Sequence, residues 1–86
     1  MIMAPHLTVL IEAMARTSGL SPHSVGRYAA GNGDFYARLV AGHDLTTRRA
    51  QRVAQWLSDH WPADLEWPAD IPRPAPAAPD SGRAAA

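Results

Sequence analysis

The side chains best equipped to recognise another molecule are gathered in residues 32–42, NGDFYARLVAG. Asn32 and Asp34 offer an amide and a carboxylate, Tyr36 an aromatic hydroxyl, and Arg38 a planar guanidinium that can bond two acceptors at once. The stretch reads as a short helix. Asn32 suits its cap, Asp34 places negative charge beside the positive end of the helix dipole, and Gly42 suits the left-handed residue that ends a helix. Phe35 and Leu39, four apart, share one face and give the segment a reason to pack. Gly33, Asp34, Tyr36, Ala37 and Arg38 are then expected to look outward or sideways, a mixture of groups suited to the wall of a DNA groove.

So short a helix must be positioned by others. Leu7, Leu10, Ile11 and Met14 have the spacing of one apolar face, which predicts an amphipathic helix from about residue 5 to residue 17, stopped by Gly19. Ser21 and Pro22 open a second helix, with Ser21 as cap and Pro22 at the first helical position, where its missing N–H does no harm. Leu20 and Val25 stand at the positions of a hydrophobic staple. Val25, Tyr28 and Ala29 are expected to face inward, and Gly26 and Ala30 are small enough to admit a neighbouring helix. Gly31-Asn32-Gly33 is a turn by composition, so the two helices flanking it form a helix-turn-helix unit. Thr46 caps a fourth helix, with Leu45 placed to staple against Ala50. Ala50, Val53, Ala54, Leu57 and Trp61 mark its buried face, Pro62 its end, and Arg48, Arg49 and Arg52 its solvated side or start. The expectation is an all-α fold of four helices and no strand.

Composition narrows the function. Eighty-six residues allow one domain with a small core and no large catalytic cleft. With no cysteine, neither a disulfide nor a thiolate metal site can add stability. The N-terminal stretch lacks the pattern of a signal peptide, and no apolar run approaches the roughly 20 residues that span a bilayer, so a cytoplasmic protein with no membrane partner is expected. The formal charge is zero but unevenly placed: residues 1–62 carry six Arg against four acids, and residues 63–86 two Arg against four. A mildly basic domain is thus followed by a mildly acidic, Pro/Ala-rich tail over 63–86, whose final part, RPAPAAPDSGRAAA, is too poor in large apolar groups to order itself. Within it Trp67-Pro68-Ala69-Asp70-Ile71 echoes Trp61-Pro62-Ala63-Asp64-Leu65, and the simplest account has Trp67 and Ile71 folding back onto the helices.

From residue 17 to residue 61 the chain resembles the helix-turn-helix domain of the lambda repressor and Cro family of small phage and bacterial regulators. GLSPHSV stands for the scaffold helix and NGDFYARLVAG for the reading helix, and HDLTTRRAQRVAQWL resembles the loop and helix that close that family's core. The family's glutamine at the start of the scaffold helix has no counterpart, Pro22 or His23 standing there, and the turn is longer. The resemblance implies a sequence-specific duplex-DNA binder with residues 33–41 in the major groove. It assigns base contacts to Asn32, Asp34, Tyr36 and Arg38, and backbone contacts to His23, Ser24, Arg27, His43, Thr46, Thr47 and Arg48. So few phosphate contacts imply weak non-specific affinity, and a homodimer or protein partner is expected to assist through Trp56 or the Trp67 segment.

The alternative is a helical adaptor, for phage assembly or antitoxin-like pairing, which uses the fold to bind protein. A DNA reader should gather Arg27, Arg38 and Arg48 on one face, whereas an adaptor should expose an apolar patch around Trp56, Trp61 or Trp67. An enzyme is not expected. His43-Asp44 and Asp59-His60 are adjacent pairs near helix ends, explained by capping and dipole effects, and no catalytic, phosphate-loop, cofactor or metal-ligand motif is present.

Overall fold

Two hydroxyl caps and three left-handed glycines set the element boundaries. Ser21 Oγ accepts the Ser24 amide and Thr46 Oγ the Arg49 amide, each at 3.1 Å, starting α2 (Pro22–Ala30) and α4 (Thr47–Asp59). Gly19 and Gly31, at φ of 72° and 74°, close α1 (Ala4–Ser18) and α2 in a conformation that L side chains resist. Gly42 has the same hand beyond α3 (Phe35–Val40). The computed structural model describes residues 2–75, among which there are these four helices and no strand.

The core is drawn from all four. Leu7, Leu10, Ile11 and Met14 of α1 meet Val25 and Ala29 of α2, Phe35 and Leu39 of α3, and Ala50, Val53, Ala54 and Leu57 of α4. Helices α1 and α2 each pack against the other three, whereas the α3 and α4 backbones stay apart. That separation leaves a hollow on the surface between them. Gly26 sets the α2–α3 distance, because a Cβ built there would lie 3.2 Å from Tyr36 Cβ and 3.3 Å from its backbone nitrogen. Two apolar expectations are not met. Tyr28 is 53% exposed and lies under the Arg27 guanidinium, and Leu20, 44% exposed, is too open to act as a staple. The shorter Val25 and Ala29 fill the α2 contribution to the core, leaving no space for the phenol.

The reading helix is also shorter than expected, six residues rather than the nine of 33–41. Asn32 Oδ1 accepts the Asp34 amide at 2.9 Å, so Asn32 shapes the turn, and Asp34 takes the cap position without a side-chain bond.

Packing continues past residue 62. The repeated WPAD sequence makes one turn twice: Trp61 Nε1 donates to Leu65 O at 2.7 Å and Trp67 Nε1 to Ile71 O at 2.8 Å. In each turn the last residue's amide bonds the proline carbonyl at 3.2 Å. The two indoles lie 4.8 Å apart, and Ile71 is buried against the core, as the fold-back account expects. Beyond them Arg73 donates to Ser58 Oγ and Ser58 O, both at 3.0 Å, while Ser58 Oγ donates to Pro74 O. Ser58, the buried polar residue of α4, is thereby satisfied by the following segment. The rest of the expected mobile tail, residues 76–86, lies outside the described residues.

Ile71→Ala should lower unfolding free energy by about 2–3 kcal/mol, a large share of a small domain's margin. Arg73→Ala should cost about 1 kcal/mol, since its bonds are partly solvated. Urea denaturation followed by tryptophan fluorescence checks both.

Candidate nucleic-acid interface

The orientation of α3 decides what its side chains can reach. With Phe35 and Leu39 buried, the helical period turns Ala37 to the opposite pole with Val40 beside it, and these two, like Gly33 and Asp34 before the helix and Ala41 after it, are exposed. Arg38 and Tyr36 lie on opposite flanks. Tyr36 is half-buried, its hydroxyl donates to Glu12 Oε2 of α1, and its ring meets His23 of α2 edge-on at 5.0 Å. The bond to the Glu12 carboxylate, then burial, then the carboxylate's charge all hold the Tyr36 phenol above its ordinary 10.0. Expected to look outward or sideways and to contact a base, Tyr36 takes the sideways position, tied to α1 and α2 with its one proton committed within the protein.

The other flank is basic. The hollow between α3 and α4, about 380 Å³, is lined by Asn32, Phe35, Arg38, Leu39, His43, Asp44, Leu45 and Arg49. It adjoins a smaller one of about 220 Å³ bordered by Ala30, Thr46, Arg48, Arg49, Arg52 and Val53, and Arg49 belongs to both. Arg38, Arg48 and Arg52 have no ion pair or side-chain hydrogen bond among the described residues, and the Arg49 guanidinium lies 5.6 Å from the Phe35 ring centroid. No acid stands in the first turn of α4. Arg48 and Arg49 therefore face the positive end of that helix dipole, and Arg52 stacks on them at i+4 and i+3, an arrangement that costs helix stability until an anion arrives.

The structure thus brings Asn32, Arg38 and His43 into one hollow and Thr46 and Arg48 into the next. Thr47 is exposed at the start of α4. The α2 group is separate: Ser24 is bonded to Ser21, His23 to the Tyr36 edge, and Arg27 stacks on Tyr28, one turn before Ala30 at the rim of the smaller hollow. Asp34 is exposed, without the ion pair to Arg38 that its spacing allows. Arg49 and Arg52 line these hollows although sequence reasoning, which placed them on the solvated side of the fourth helix or near its start, gave them no contact role. Their signal was their distance from the Thr46 cap, which puts them on the first two turns.

Apolar surface is distributed differently. Trp61 is buried, Trp67 is half-buried against it, and Trp56 is half-buried and stacked on His60 at 4.2 Å. The main groove, about 720 Å³, runs along the Tyr36 flank and includes Met3 and Val40, 58% and 60% exposed. Among the described residues no three His, Asp or Glu converge as metal ligands would, and no helix is long and apolar enough to cross a membrane. Comparisons with family models, curated proteins and solved structures found no match, so this surface is interpreted from its own chemistry.

Tyr36→Phe should cost about 1 kcal/mol at neutral pH, the bond to Glu12 being partly solvent-screened. Because the folded chain holds the Tyr36 proton more tightly than the unfolded chain, the associated stability is whole below pH 10.0 and is lost as pH rises through the raised value. The difference in urea midpoint between wild type and Tyr36→Phe should therefore be constant from pH 7 to about 9 and shrink at higher pH.

Proposed function

We propose that this chain binds duplex DNA as a small regulator, with α2, the 31–34 turn and α3 as a helix-turn-helix unit similar to that of the lambda repressor and Cro family. In this reading α3 lies in the major groove with Gly33, Asp34, Ala37, Val40 and Ala41 toward the base edges, and α4 begins over the sugar–phosphate backbone. The small residues let the helix backbone approach closely, and the Ala37 methyl suits contact with a thymine methyl.

The observation that carries the proposal is the unpaired arginine surface at the junction of α3 and α4, where Arg38, Arg48, Arg49 and Arg52 border two adjoining hollows. A solvated helix face commonly alternates its charges, whereas here like charges stack at the positive end of a helix with no acid in its first turn. A polyanion relieves that repulsion. The withdrawn tryptophans weaken the adaptor reading as it was framed. The groove holding Met3 and Val40 is the observation that favours an adaptor, and its occupant would be a protein segment.

Fluorescence anisotropy with labelled duplexes at varied NaCl tests the proposal. If the four arginines neutralise three to four phosphates, log K should fall with log salt at a slope of about −3 to −4, about a hundredfold between 50 and 200 mM. Absence of duplex binding at 50 mM would remove the regulator reading.

A further inference from the structure

The arginine on α3 invites assignment as a reader of guanine. The geometry points elsewhere: we infer that Arg38 and Arg49 form a clamp for a single phosphate group, with Asn32 and His43 as accessory donors. The inference deepens the DNA-binding reading and rests on it for the identity of the phosphate, a backbone phosphodiester at the rim of the major groove.

Four observations carry it. Arg38 lies a third of a turn past Ala37, the residue opposite the buried face, so its stem departs toward α4 rather than along the axis of approach. Arg38 lines the same hollow as Arg49, a residue from another helix, and among the described residues neither has a side-chain hydrogen bond or ion pair to satisfy its fork of donors. Arg49 is held there by the Phe35 ring 5.6 Å away, and Phe35 is itself core, so this cation is set by packing rather than left on a free stem. The Asn32 carbonyl oxygen is occupied by the Asp34 amide, which fixes the side chain, and its NH2 has no partner among the described residues. Asp44, the single acid lining the hollow among the described residues, leaves their net charge positive. Two guanidinium forks and an amide around one opening suit a tetrahedral oxyanion better than the edge of a planar base.

Contacts to phosphate and to base differ in what substitution changes. Salt titrations of wild type, Arg38→Ala, Arg49→Ala and the double variant are run on a random-sequence duplex and on duplexes enriched from a random pool by the wild type. Each single substitution should reduce the salt slope by about one and weaken every duplex by the same factor. The second substitution should cost less than the first, because the two share a phosphate. Loss of preference at one base pair, with the slope unchanged, would make Arg38 a base reader and overturn the clamp. In parallel, the Nε–Hε signals of Arg38 and Arg49 are followed by NMR while inorganic phosphate is added, and both should move together while Arg16 stays still. Phosphate-induced shifts without duplex binding would leave the clamp standing and remove DNA as its source. Duplex binding with neither slope change nor shifts would do the reverse. Arg38 and Arg49 are exposed, so their alanine variants should fold as the wild type does, which circular dichroism melts verify.

Discussion

Six residues cannot sustain helical structure in water, so α3 exists only as its neighbours hold it. Two anchors do so. Phe35 and Leu39 bury one face, and Tyr36 ties a flank to α1 through Glu12 while its Cβ rests on the bare backbone of Gly26. Everything proposed for the outward face depends on that attachment, because a helix free to roll would not present a constant side. The Tyr36 bond is therefore best understood as a rotational stop, and the hydroxyl that looked available for recognition fixes the direction in which the remaining side chains point.

The same scarcity of core shapes the other end. A chain of this size buries a modest fraction of its apolar surface, and the four helices alone leave the later part of α4 uncovered. The paired Trp-Pro turns complete the cover: each closes on itself through an indole-to-carbonyl bond, and together they deliver Ile71 and Arg73 to α4. Among the described residues the α3–α4 side receives no such cover, and it is there that arginines without ion pairs gather. One flank of α4 is thus closed by the chain itself and the other is open and cationic.

Much of this was legible in the residues. Ser21, Thr46, Gly19, Gly31 and Gly42 act as their local chemistry requires, and the periodic apolar positions of α1 and α4 are buried as their spacing implies. Local rules sufficed because caps and stripes depend on neighbours within a turn. The failures were non-local. Tyr28 and Tyr36 differ in fate because Gly26 admits α3 and its Tyr36 against α2, whereas among the described residues no helix covers Tyr28, and pattern along one helix carries no information about which helix arrives. Arg49 is exposed near the start of α4 as expected, but that it shares a hollow with Arg38 was not legible for the same reason: Arg38 is on another element. The repeat at 61–71 was legible as a segment that folds back onto the helices, but its turn was not, since a tryptophan's bond to a carbonyl four residues on requires the chain to bend at the proline between them.

The tilted indole pair at the end of the fold carries a consequence of its own. Rings 4.8 Å apart and inclined at 60° couple their electronic transitions, so the native protein should show an exciton couplet in its circular dichroism that separated indoles lack. With both rings donating to backbone carbonyls, the chromophores are locked in orientation as well as in distance. The closing segment thus carries its own optical gauge, able to report detachment from α4 in unlabelled material and on the timescale of stopped flow.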